Sequence, residues 1–125
     1  MNFDKVIAGF FIIFAMTLNF GFFYGELSDI TMHSRYELFA AIVINIIATV
    51  LKLGDRTQMG SVLLATSLVA VIQLIAAASV WAIAGYNVVI SQETTAVIVS
   101  LSGGALLANI TSVILYIGET VKSKR

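Results

Sequence analysis

Four polar residues recur at helical spacing in the second apolar segment of the chain: Glu37, Asn45, Thr49 and Lys52. Residues three or four positions apart share one face of an α-helix, so these side chains form a single polar face. The face is acidic at one end and basic at the other, with an amide and a hydroxyl between them. Because such groups can replace part of the hydration of an ion or small solute, the face is a candidate pore lining. Packing against a neighbouring helix is the competing interpretation.

A second set of residues is typical of close helix packing. Small side chains at four-residue spacing let two helices approach, and amide or hydroxyl groups hydrogen-bond between helices in a membrane. "GFFYG" provides one such pair, and "SLSGGALLANITS" provides a longer small and polar run with no charge in it. The candidate packing residues are Gly21, Gly25, Gln73, Gly103, Gly104, Ala108, Asn109 and Ser112.

The residues of enzyme chemistry are absent from these segments. The sequence has no cysteine, no serine–histidine–acid set and no glycine loop followed by lysine that could cradle phosphate. Its single histidine, His33, falls in a loop, where a solvated surface position is expected. We therefore predict no enzyme, no metal site and no cofactor. Acidic loop residues such as Glu26 and Asp29 leave a membrane enzyme as the third alternative.

The composition places these segments in a lipid bilayer. The chain has 125 residues, of which 59% are hydrophobic and 11% are charged, whereas soluble domains carry about 25% charged residues. A soluble domain of this size buries only part of its surface and could not hide so much apolar area. The sequence therefore predicts an integral membrane protein.

The charged residues divide the chain into four stretches of spanning length. A membrane-crossing helix needs roughly 20 apolar residues, and backbone groups in lipid must be paired within the segment, which requires helices here. We predict an all-α fold with one transmembrane domain over residues 1–125 and helices at about 6–25, 36–53, 60–85 and 95–118.

The distribution of charge predicts the orientation of the helices. With four spans, one side of the membrane holds Lys5, Lys52, Arg56, Lys122, Lys124 and Arg125, whereas the other side holds Arg35 as its only lysine or arginine. Short loops rich in lysine and arginine stay cytoplasmic, so both termini are expected inside. Aromatic residues mark membrane interfaces, and four fall at predicted outer ends: Tyr24, Tyr36, Trp81 and Tyr86.

Several stretches resemble an uncharacterised family of small four-span bacterial inner-membrane proteins. These are "YELFAAIVINIIATVLKLGDRTQ", "LLATSLVA", "SLSGGALLAN" and "TLNFGFF". Together they cover most of the chain. The resemblance implies a multi-pass protein of the bacterial inner membrane and carries no function with it.

Two hypotheses from different classes follow. Four mostly apolar helices cannot enclose a wide aqueous path, so a channel or transporter for an ion or small solute would assemble as a cyclic homo-oligomer lined by the second helix. The alternative is an accessory or scaffold subunit that docks a larger membrane protein through its small-residue faces. The expected partners are the lipid bilayer, further copies of the chain or another membrane protein, and no nucleic acid.

Overall fold

The computed structural model describes residues 3–25, 29–53, 57–85 and 89–123. Glu26, Arg56, Tyr86, Lys124 and Arg125, which entered the orientation argument, lie outside the described residues. The described residues form four α-helices and one short 3-10 turn, with no strand among them. The helices are α1 (Phe3–Phe23), α2 (Arg35–Val50), α3 (Gln58–Ala84) and α4 (Gln92–Ser123), and the 3-10 turn is Ile30–Met32.

The lengths and compositions of these helices indicate a membrane protein. Three helical segments are long and apolar enough to cross a bilayer: α1, α3 and residues Gln92–Lys122 of α4. α2 has 16 residues and is about 24 Å long, which is less than the roughly 30 Å of a hydrocarbon core. Large apolar side chains are exposed on the bundle surface, for example Phe10, Ile72 and Leu107. The prediction of an all-α fold is therefore confirmed, and three of the four predicted spans are long and apolar enough to cross a membrane.

The four helices pack around a square. α1 contacts α2 and α4, and α3 contacts the same two neighbours, with the most extensive contact between α3 and α4. The Tyr116 hydroxyl of α4 donates a hydrogen bond to the Lys5 carbonyl of α1 at 2.5 Å. The end of the bundle where α1 begins and α4 ends is called the termini end below, and the opposite end is called the far end.

Local sequence signals determine where three of the helices begin. Ser34 caps α2 by accepting a hydrogen bond from the Glu37 amide at 3.3 Å, and Thr57 caps α3 by accepting one from Gly60 at 2.9 Å. Ser91 accepts a hydrogen bond from the Thr94 amide at 3.1 Å, next to the start of α4. Each hydroxyl satisfies one of the amide groups that a helix N-terminus leaves unpaired.

The observed helices differ in length from the predicted spans. α1 begins at Phe3 and α4 continues to Ser123, because a helix does not stop where its sequence becomes charged. α2 ends earlier than predicted, at Val50. Its last turn tightens, with the Lys52 amide bonded to the Thr49 carbonyl at 3.0 Å, and such i→i−3 bonds are common where a helix ends.

Gly25 does not share a helix face with Gly21, contrary to the sequence prediction. α1 ends at Phe23, and Gly25 has a φ of 127°, a conformation that favours glycine. A Cβ at this position would also lie 3.1 Å from the Cβ of Met32. Gly25 therefore serves the turn that leaves α1, and Gly21 alone remains on the helix.

The prediction that His33 is solvated is wrong. His33 is only 5% exposed, and its Nδ1 lies 2.6 Å from the Phe22 carbonyl oxygen. Because a carbonyl can only accept, Nδ1 carries the proton in this bond. Phe22 is in the last turn of α1, where carbonyls lack partners within the helix. The loop histidine thus caps the C-terminus of α1.

Trp81 is not part of an exposed aromatic belt. It lies in the last turn of α3 but is 6% exposed, and its ring centroid lies 6.1 Å from that of Phe22. Tyr24 and Tyr36, in contrast, are 69% and 74% exposed. The sequence predicted that Trp81 lies near the end of α3, but it did not predict that its side chain faces the other helices.

We predict that His33→Ala lowers the free energy of unfolding by about 1–3 kcal/mol, because it leaves the buried Phe22 carbonyl without its partner. SDS titration of the purified protein, followed by far-ultraviolet circular dichroism, measures this change. Met32→Ala is the matched control, since Met32 is the preceding residue and is exposed. Equal unfolding midpoints for the two variants would contradict the assigned role of His33.

Candidate functional site

An apolar plug fills the bundle toward the far end. It consists of large buried side chains from all four helices: Phe22, Leu38, Leu74, Trp81 and Ile98. Small residues complete the cluster, including Ala41 and Ala77. Apart from the indole N–H of Trp81, the side chains of the plug are apolar.

The termini end contains a cavity of about 180 Å³. Its most buried wall consists of Ile12, Leu63 and Lys52. Exposed charged residues from α1, Asp4 and Lys5, stand at its rim. The remaining lining residues are Ala8, Leu51, Tyr116, Glu119 and Thr120. The bundle interior is therefore filled by mostly apolar side chains toward one end and contains a cavity at the other.

Lys52 is the member of the predicted pore lining that reaches this cavity. Its side chain is 6% exposed, and its Nζ donates a hydrogen bond to Ser67 Oγ of α3 at 2.6 Å. Among the described residues it forms no ion pair with a carboxylate. Asp55, a conceivable partner three positions later, lies outside the described residues.

Asn45 and Thr49 lie within the bundle of their own chain. Asn45 is 1% exposed and Thr49 is 9% exposed. Asn45 Nδ2 donates to the Ala41 carbonyl at 2.7 Å, and the Thr49 hydroxyl donates to the Asn45 carbonyl at 2.8 Å. A path along this face would therefore run between the helices of one protomer, and not along an axis shared by several.

Glu37 lies at the far-end start of the same face, where α2 approaches α1 closely. A Cβ built at Gly21 of α1 would overlap the Glu37 carboxylate, so the Glu37 side chain can lie here only because position 21 is a glycine. The nearby loop carries another acid, Asp29, whose Oδ1 accepts hydrogen bonds from the Thr31 hydroxyl at 2.6 Å and the Thr31 amide at 3.0 Å. These bonds lower the pKa of Asp29, because they stabilise its charged form.

Asn19 connects α1 to the backbone of α4, a role that the sequence analysis did not assign to it. With the amide oriented to satisfy its neighbours, its oxygen accepts from the Leu106 amide at 2.9 Å and its nitrogen donates to the Ser102 carbonyl at 3.1 Å. In a regular helix these two backbone groups pair with each other. The available signal was a lone amide residue in an apolar helix of 21 residues.

Asn109, a predicted packing residue, joins the same cluster. Its Nδ2 donates to the Asn19 oxygen at 3.0 Å and lies 3.5 Å from the Ala15 carbonyl. Asn19 is fully buried and Asn109 is 4% exposed. The two amides therefore form a buried hydrogen-bonded contact between α1 and α4.

The glycines of "SGGA" lie where other helices press on α4. A Cβ at Gly103 would lie 2.8 Å from Phe23 Cε1 of α1, and a Cβ at Gly104 would overlap the Gln73 amide of α3. Ala108 is partly buried against the apolar core cluster. Ser112 lies one turn further, with its hydroxyl 2.5 Å from that of Thr66 in α3. These residues face neighbouring helices of the same chain.

We predict that Asn19→Leu destabilises the bundle by about 1–3 kcal/mol, because it removes three hydrogen bonds and leaves buried polar groups of α4 with fewer partners. Denaturation in SDS, followed by circular dichroism, provides the measurement. Thr111→Val is the control, because Thr111 is exposed and its hydroxyl bonds only to Leu107 of its own helix. If Asn19→Leu unfolds at the same SDS fraction as the control, the bridge contributes nothing.

Metal ions are bound by clustered histidine, cysteine, aspartate and glutamate side chains. Among the described residues, no group of three such side chains could hold a metal ion. What the site offers is one buried amine, several hydroxyls and a small cavity.

Comparison with known proteins identifies the family. A family model matches residues 32–120, which include α2, α3 and most of α4. The chain belongs to this family of unknown function, DUF6394, which confirms the family-level resemblance inferred from the sequence. No curated protein and no solved structure matches the chain.

Proposed function

We propose that the protein is a small homo-oligomeric membrane channel or transporter for an ion or small solute. In this proposal all four helices cross a bacterial inner membrane, with the termini end in the cytoplasm, as the distribution of lysine and arginine favours. The observation that carries the proposal is the cavity at the termini end, which reaches Lys52 at the basic end of the polar face of α2.

The route runs through each protomer. From the cavity it passes Lys52 and Thr49 and reaches Asn45, beyond which the apolar plug closes the interior. Passage therefore requires the plug residues, Phe22 and Trp81 among them, to move apart. Apolar constrictions act as gates in channels because they exclude water when closed. The proposed resting state is open to the cytoplasm and closed to the outside.

Gln73 supports self-association of the protomers. It lies near the middle of α3 in an open groove between α3 and α4, which Ser100 and Gly104 also line. Within the part of the chain that the structure describes, its side-chain amide has no hydrogen-bond partner. An unpaired amide is unfavourable in hydrocarbon, whereas two copies of Gln73 could satisfy each other, since each amide both donates and accepts.

The accessory-subunit alternative keeps one of its proposed docking faces. The near neighbours of Gly21 and Gly103 belong to the same chain, whereas Gly104 also lines the open groove beside Gln73. In this alternative, the groove receives another membrane protein instead of a second copy of the chain.

We predict that Asn45→Leu reduces solute flux at least about tenfold, because it replaces the last polar group of the route before the apolar plug with an apolar one of similar branching. The assay compares purified protein in liposomes with empty vesicles, using separate dyes for cation and anion flux and osmotic swelling for small neutral solutes. Thr17→Val is the control, since Thr17 is exposed on α1 and bonds to Phe14 of its own helix.

The proposed function is refuted if flux by the unmodified protein does not exceed that of empty vesicles for any of the three solute classes. Full flux through Asn45→Leu would instead refute the proposed route and place it elsewhere. Size-exclusion chromatography in detergent verifies that the variants retain their assembly.

We predict that Gln73→Leu weakens self-association about threefold, since interhelical hydrogen bonds in membranes contribute about 0.6 kcal/mol on average. Energy transfer between labelled protomers in liposomes, measured over a range of protein-to-lipid ratios, gives the association constant. Ser79→Ala, an exposed change on the same helix, should leave it unaltered. An association constant for Gln73→Leu equal to that of the control would remove Gln73 from the interface.

A further inference from the structure

Lys52 is in an unusual position for a lysine of a membrane protein. Lysine side chains near helix ends normally extend toward the water with their charged groups. Lys52 instead turns into the bundle, where it is 6% exposed and bonds to Ser67, a residue in the tenth position of α3. The ammonium group has three donors, and a neutral hydroxyl takes one of them. A buried ammonium group with only a neutral hydroxyl as its partner is more stable when an anion lies beside it.

The cavity next to Lys52 limits what that anion can be. Its volume of about 180 Å³ is below the roughly 300 Å³ at which drug-sized ligand pockets begin. Its deep wall is otherwise apolar, formed by Ile12 and Leu63. We propose that this cavity is a binding site for one small monovalent anion, an inorganic ion or a short carboxylate, held by the Lys52 ammonium beside Ser67.

The other charged groups of the cavity favour an anion that carries a single negative charge. Asp4, Lys5 and Glu119 line it together with Lys52, which gives equal numbers of acidic and basic side chains. Asp4 and Lys5 are exposed and Glu119 is less buried than Lys52, so water screens them more strongly. The ammonium therefore dominates at the deep wall, whereas the two carboxylates repel an anion of higher charge at the entrance.

An anion site at Lys52 would also identify anions as the transported solutes, and this part of the proposal rests on the proposed function. If the polar face of α2 begins the route, an anion at Lys52 occupies the first site reached from the cytoplasm. Binding at the site can nevertheless be measured without transport, and this separates the two claims.

The test measures anion binding to the full-length protein in detergent. The probe is chloride, whose ³⁵Cl resonance broadens when the ion exchanges with a protein site, and nitrate and acetate serve as competitors. The neutral variant Lys52→Gln should weaken chloride binding roughly ten- to a hundredfold, the effect of losing a hydrogen bond to a charged group. Lys122→Gln is the matched control, because Lys122 is exposed near the same end and does not line the cavity.

A second variant covers the case in which Lys52→Gln does not fold. Leu63→Phe fills the deep wall without changing any charge and should also abolish the broadening. If nitrate and acetate both displace chloride at similar concentrations, the result supports a site that accepts either a monovalent inorganic ion or a short carboxylate. Equal broadening in the wild type and in whichever of these variants folds would overturn the proposal, as would sulfate competing better than nitrate.

Comparison with the liposome assay distinguishes the two failures. Chloride binding that depends on Lys52, without flux of any solute, would refute the transport function and leave the anion site. Flux of cations or neutral solutes, without chloride binding, would overturn the anion site and leave the transport function.

Discussion

The requirement that polar groups between the helices find partners within the protein governs this structure. Lipid offers no hydrogen bonds, so an unpaired amide or hydroxyl there is costly. Buried or partly buried hydrogen bonds accordingly link three pairs of adjacent helices. Asn19 joins α1 to α4, Thr66 joins α3 to α4, and Lys52, just after the end of α2, bonds to α3. No buried side-chain nitrogen or oxygen among the described residues lacks a partner. These bonds specify which helix faces meet more than they add to stability.

The same requirement explains why the interior is not uniform. Towards the far end, bulky apolar side chains close the space, and His33 seals the last turn of α1 with its ring against Phe22. Toward the termini end, the helices leave a cavity, and the polar groups near it are satisfied in part by their own helices, as with Thr49. A bundle built in this way is asymmetric along its axis, which agrees with the resting state that we propose.

The sequence predicted the membrane helices because their apolar length is a property of each segment alone. It also selected residues that lie at helix contacts, since small and amide residues matter wherever helices approach. It could not predict which neighbour each face meets. Asn45 therefore looked suited to an axis between subunits, but it faces the interior of its own protomer. Trp81 and His33 were misjudged for a related reason, because depth and loop position do not determine whether a side chain turns inward. Asn19 escaped notice because two of its three partners are backbone groups, which leave no mark in the sequence, and the third, Asn109, is distant along the chain.

The position of Trp81 has a practical consequence. The chain contains one tryptophan, and it lies within the plug rather than on the outer surface of the bundle. The indole emission of the unlabelled protein therefore arises from the part of the bundle that separates the cavity from the far side. A red shift or easier quenching by a water-soluble agent would signal that water has entered the plug. The molecule thus contains its own optical reporter of the packing of the plug, without any added dye or mutation.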